Sequence, residues 1–164
     1  MCHKLVLVYI GMLLSTALFG QGQIEHLNRF ELEHEWTFDS QEVIPNQEQG
    51  FTIVRTNRKN AAKDYPVEFV HLDKDFKVTW QDSFEIPSRM YMRGHYYAKG
   101  HVYLLFQEGP SRAINTVIDL DLKKRTIATH ETSKIIELYV TEFEVIQNTA
   151  ILGGYFEGRP VGFA

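Results

Sequence analysis

The sequence predicts an all-β protein built from repeated antiparallel sheets. Short apolar segments alternate with turn-forming residues, no sustained amphipathic helix interrupts them, and the same parts recur at a spacing of about 50 residues. A chain of 164 residues with 44% hydrophobic and 23% charged residues can bury one ordinary core and leaves little room for two. Seventeen Lys and Arg against 21 Asp and Glu give a formal charge of -4, which lacks the basic footprint of a nucleic-acid binder.

The first element is a targeting segment. Lys4 precedes an apolar run from Leu5 to Phe19, interrupted only by Tyr9, Ser15 and Thr16. The run is shorter than the roughly 20 residues a spanning helix needs, and small then polar residues follow it. Residues 1–20 therefore read as a secretory signal peptide, with the mature chain starting near Gln21 and carrying no transmembrane span. Cys2, the only cysteine, leaves with that segment, so no internal disulfide is expected. Loss of Lys4 leaves 16 basic against 21 acidic residues.

Residues 21–49 read as an acidic strand and a connection. Phe30, Leu32, His34, Trp36 and Phe38 alternate with Glu31, Glu33, Glu35, Thr37 and Asp39, the period of a half-buried strand whose glutamates protect its outer face. Pro45, Asn46 and Gly50 mark Gln41 to Gly50 as the connection.

Residues 50–164 read as two and a half repeats. The first holds strands at Phe51–Thr56, Pro66–Asp73 and Phe76–Trp80. The second holds His101–Phe106, Ile114–Asp121 and Arg125–Thr129. Leu72-Asp73 and Leu120-Asp121 lie 48 residues apart, and Gly50 and Gly100 lie 50 apart. A third repeat opens around Asn148 with Ala150–Phe156 and Pro160-Val161, while Ile135 to Ile146 reads as strand rather than helix.

Repetition of short strands at this period is the signature of a β-propeller, in which neighbouring four-stranded blades bury one another's faces. The segment from Val67 to Trp80, with its Leu72-Asp73 turn, resembles the quinoprotein-like repeat, and Ile151-Leu-Gly-Gly-Tyr155 resembles the kelch repeat. The resemblance implies only architecture: Thr129 stands where Trp80 would be echoed, the first two repeats lack the glycine doublet, and no quinone-binding motif accompanies them. The expected fold is a β-propeller-like stack, incomplete because closure needs four or more blades, so the chain reads as part of a longer product. A β-sandwich or a meander is the alternative.

Motifs for chemistry are sparse, and no residue is assigned a catalytic, cofactor-binding or metal-binding role. His71 and Asp73 share a strand face without a third ligand, and His95, His101 and His130-Glu131 read as isolated. Asp73, Asp75, Asp119, Asp121, Glu142 and Glu144 could supply glycosidase carboxylates, but the recurrence of Asp73 and Asp121 suits turn hydrogen bonding better. Ser111 has no nucleophile motif around it. Tyr91, Tyr96, Tyr97 and Tyr103 form a candidate stacking patch, largely core by alternation with Met90, Met92, Val102 and Leu104. Arg55, Arg58, Lys59 and Lys63 read as a solvated hairpin tip. The expected function is an exported, non-enzymatic binding or scaffold module for a protein or glycan, within a larger envelope protein. The alternative is part of an extracellular carbohydrate-acting hydrolase.

Overall fold

The computed structural model describes residues 29–32, 40–58, 63–109, 114–132 and 137–164. The expected signal peptide, residues 33–39 of the alternating segment, Lys59 and Ser111 lie outside them. The described chain is all β apart from one 3₁₀ turn, Gln47–Gln49. Sheet A is a meander of β1 (Ser40–Pro45), β2 (Phe51–Thr56), β3 (Asp64–Leu72) and β4 (Val78–Pro87). Sheet B repeats the pattern with β5 (Met90–Ala98), β6 (His101–Glu108), β7 (Asn115–Asp121) and β8 (Thr126–Thr132). Sheet C contains β9 (Tyr139–Ile146), β10 (Thr149–Phe156) and β11 (Arg159–Phe163). Among the described residues every pairing is antiparallel between consecutive strands, and no sheet closes on itself.

The strands follow from the residues that form them. Strand β6 reads Val-Tyr-Leu-Leu-Phe-Gln without a polar break until Gln107, because both of its faces are covered. Val102, Leu104 and Phe106 point into a core shared with sheet A, while Tyr103 and Leu105 point into a second core shared with sheet C. Outer strand β4 needs only one buried face, and Trp80 and Ile86 supply it. The first core joins Ile44, Val54, Val67 and Phe69 of sheet A to these β6 side chains and to Ile118 and Leu120 of β7. Phe69 meets Trp80 edge-on at 4.6 Å, and Phe84 meets Phe106 edge-on at 6.1 Å across the interface. On the far side of sheet A, Phe30 and Leu32 pack on Ile53, Val70 and Leu72.

The turns carry the repeat. Gly50 and Gly100 precede the second strand of their sheets with φ of 98° and 85°, and Asn148, with φ 65°, precedes the corresponding strand β10. Asp73 Oδ1 accepts from the backbone N–H of Asp75 and Lys77 at 2.9 and 3.0 Å. Asp121 Oδ1 likewise accepts from Lys123 and Lys124 at 3.1 and 2.9 Å. These carboxylates therefore hold the turns after β3 and β7, the role their recurrence suggested. At Asp121 the Lys124 backbone hydrogen bond, followed by the Lys124 ammonium, draws the carboxyl down to about 2.

Two sequence expectations change. Residues 40–45 form strand β1 rather than connection, because Ile44 is buried in the core and six residues pair in register with β2. Met90–Ala98, read only as an aromatic stretch, forms β5, so each sheet begins one strand before the glycine or asparagine that marks it in sequence.

Sheet A also holds a buried histidine. His71 sits beside Asn46 and Thr52, all three withdrawn from solvent. With the Asn46 amide oriented to satisfy its neighbours, Oδ1 accepts from Thr52 Oγ1 at 2.6 Å and from His71 Nδ1 at 3.2 Å, and Nδ2 donates to the Ile44 carbonyl. His71 Nδ1–H also donates to the Phe51 carbonyl at 3.2 Å, which fixes the neutral Nδ1–H tautomer. Burial pushes the imidazole below its ordinary value of 6.5, outweighing the Phe51 carbonyl and the Asp73 charge, which favour the cation. The unfolded chain therefore binds a proton here before the folded one does. The resulting stability is complete above pH 6.5 and falls away as the pH drops below it. In pH-series denaturation the wild type loses stability between about pH 7 and 5, and His71→Gln shows a smaller loss over that range. Equal slopes in the two proteins would contradict this account.

Candidate functional site

The first strands of the three sheets lie side by side, with β5 between β1 and β9. Their side chains enclose an open cleft of about 350 Å³. Glu42 reaches it from β1, Met92, Arg93, Gly94 and His95 from β5, and Val140, Thr141, Glu142 and Phe143 from β9. The backbone is adapted to it: β5 carries a register shift between Met92 and Gly94, and a Cβ on Gly94 would stand 3.4 Å from the Phe143 side chain.

Five residues with hydrogen-bonding side chains thus line the cleft from three sheets: Glu42, Arg93, His95, Thr141 and Glu142. Among the described residues none of them makes a side-chain hydrogen bond or an ion pair. The Arg93 guanidinium instead lies between two aromatic rings, 5.7 Å from the centre of Tyr91 and 5.9 Å from that of Tyr139. Arg58 covers Tyr91 at 3.8 Å, and Tyr139 pairs across the strands with Tyr155. Arg58, Tyr91, Arg93, Tyr139 and Tyr155 therefore make one row across all three sheets. Its tyrosines are 39%, 38% and 50% exposed. The Arg58 side chain, through its hydrogen bond and then its charge, also lowers the Tyr91 phenol below its ordinary pKa.

The structure redistributes the sequence candidates. Of the four clustered tyrosines only Tyr91 is a surface residue; Tyr96 and Tyr97 are half-buried against the two cores, and Tyr103 is in the core between sheets B and C. Of the six candidate carboxylates only Glu142 lines the cleft. Asp73 and Asp121 hold turns, and Glu144 stands on the opposite face from the second core, paired with Ile151. His101 is not isolated as expected: Nδ1 lies 2.8 Å from Asp119 Oδ1 and Nε2 lies 3.8 Å from Asp121 Oδ2. His71 turns into its buried cluster rather than toward Asp73. Among the described residues no group of three or more His, Cys, Asp or Glu side chains is placed to hold a metal ion. Arg58 is not a solvated tip, since Nη2 donates to the Ser88 carbonyl at 3.1 Å and the guanidinium lies on Tyr91.

Glu42 and Arg93 carry no sequence motif, yet one signal was available. Glu42, Arg93 and Glu142 are separated by 51 and 49 residues, about one repeat each, so the period itself places them at matching points of successive sheets. Among the described residues no helix is long and apolar enough to cross a membrane. Protein-family models, curated proteins and solved structures contain no match to this chain.

Proposed function

We propose that the chain is an exported, non-enzymatic binding module of β-propeller-like build that holds a glycan in the cleft between β1, β5 and β9. The observation that carries this reading is the set of five polar residues that line one cleft with no side-chain hydrogen bond or ion pair among the described residues. Sugar hydroxyls both donate and accept, so they pair at once with the carboxylates of Glu42 and Glu142 and with the N–H groups of Arg93 and His95. The flanking Tyr139 and Tyr155 rings offer flat apolar faces for the C–H side of a sugar ring. A protein partner fits less well, because a stable interface buries upward of about 1,000 Å² around an apolar centre, and this cleft is small and polar. The apolar run Leu5–Phe19 behind Lys4 supports export, and the adjacency of the three first strands supports the propeller reading.

A second reading is favoured by one observation: Glu42 and Glu142 face the same cleft from two different sheets, as the paired carboxylates of a glycoside hydrolase do. A glycan array followed by hydrolysis assays on the retained glycans separates the two. The binding reading expects retention without turnover, and Arg93→Ala weakens binding at least about tenfold with unchanged thermal stability. No retained glycan would defeat both readings. Turnover that vanishes in Glu142→Gln would replace the binding module with the hydrolase.

A further inference from the structure

A second recess, sharing no residue with the cleft, lies between the outer part of sheet B and the β9–β10 hairpin and encloses about 370 Å³. Val117, Val145 and Ala150 line it with apolar surface, and His101, Tyr103, Asp119, His130 and Asn148 form its polar wall. That wall is built rather than incidental. Asp119 is fixed through Oδ1 by His101, and the imidazole stacks on the Tyr103 ring at 5.8 Å with the planes 10° apart. Lys124 neutralises the neighbouring Asp121 at 2.9 Å, which leaves Asp119 as the carboxylate facing the recess.

Two groups on this wall have no hydrogen-bond partner from the protein among the described residues. Tyr103 is only 9% exposed, and its hydroxyl, which makes no hydrogen bond there, opens to the recess. Asp119 Oδ2 makes none either. Burial, followed by the charges of Asp119 and Asp121, pushes the Tyr103 phenol up, so it stays a neutral O–H able to donate and accept.

We propose that this recess binds a small organic cation, a primary ammonium on an apolar body of one ring or a short alkyl chain. The ammonium donates to Asp119 Oδ2 and Tyr103 Oη, and its body covers Val117, Val145 and Ala150. An anion would meet the Asp119 carboxylate, and a neutral apolar molecule would leave both polar atoms without a partner. A volume of about 370 Å³ is at the small end for ligand pockets, which limits the guest to this size.

Calorimetric titration of the whole chain with benzylammonium, benzyl alcohol and benzoate tests the proposal. Benzylammonium binds at least about tenfold tighter than the alcohol, and benzoate does not bind. Asp119→Asn removes about tenfold of the affinity, Tyr103→Phe weakens it severalfold while keeping the ring, and Ala150→Leu fills the recess and abolishes binding. Circular dichroism of each variant shows whether it folds, and the preference among the three probes on wild type needs no variant. No benzylammonium binding up to about 10 mM, equal binding of the alcohol, or binding unchanged in a folded Asp119→Asn protein would each overturn it.

Discussion

Phe106→Ala is expected to lower the free energy of unfolding by about 3–5 kcal/mol, among the largest costs of any single truncation in the molecule. The side chain is fully buried at the interface of sheets A and B, with Phe84 edge-on to its ring. Strand β6 is hydrogen-bonded on both sides, to β5 and to β7, so its backbone is poorly placed to collapse into the space left by the ring. A domain of this size has a total stability of about 5–15 kcal/mol, and the variant therefore loses a large part of it. Urea unfolding followed by fluorescence of Trp80, itself in the same core, reads the change. A loss under about 1 kcal/mol would mean that sheets A and B do not pack face to face as described.

The second large effect is at Gly50. Its φ of 98° lies where side chains are strained, and a Cβ there would run into the Leu72 carbonyl oxygen and stand 2.6 Å from the Asp73 carbonyl carbon. Those atoms belong to the end of β3 and its Asp73 turn, so the clash would push apart two connections at the same end of sheet A. Gly50→Ala is expected to cost at least about 3 kcal/mol. Gly158 is the internal control: its φ is 75°, but a Cβ added there would meet nothing within 4 Å, so Gly158→Ala incurs only the conformational penalty of about 1–2 kcal/mol. Thermal melts of the two variants should differ clearly, and equal losses would remove the close approach at Gly50 as the cause.

Legibility in the sequence tracked burial. Strands β2, β3, β6, β7 and β10 were readable because each carries a run of β-branched, aromatic or aliphatic residues that packs on one or both faces. Strand β1 was not, since Ile44 is the one buried residue of Ser-Gln-Glu-Val-Ile-Pro and the turn residues Pro45 and Asn46 outweigh it. Strand β5 hid for a related reason: Arg93, Gly94 and His95 interrupt its pattern because they line the cleft. The hidden strands are thus two of the three that carry the candidate site, and the polar residues that line it also blur their periodicity. Strand β4 was cut short at Trp80, although Phe84 and Ile86 continue the alternation and pack on the first core. Glu142 was visible as one carboxylate among six, but its convergence with Glu42 and Arg93 exists only once three strands from separate sheets are laid side by side.

The sheets are joined to one another differently from the way each is joined within itself. Inside a sheet the strands share ladders of backbone hydrogen bonds, whereas across the two interfaces the contact is mainly side-chain packing. Each interface has a clasp at the end where β5 and β9 begin: the Tyr65 hydroxyl donates to the Met90 carbonyl at 3.0 Å, and Gln107 Nε2 donates to the Leu138 carbonyl at 2.8 Å. The assembly is built like a fan riveted at one end. A cleft walled by three separate leaves therefore has its width set by side-chain packing and these two hydrogen bonds rather than by any backbone ladder.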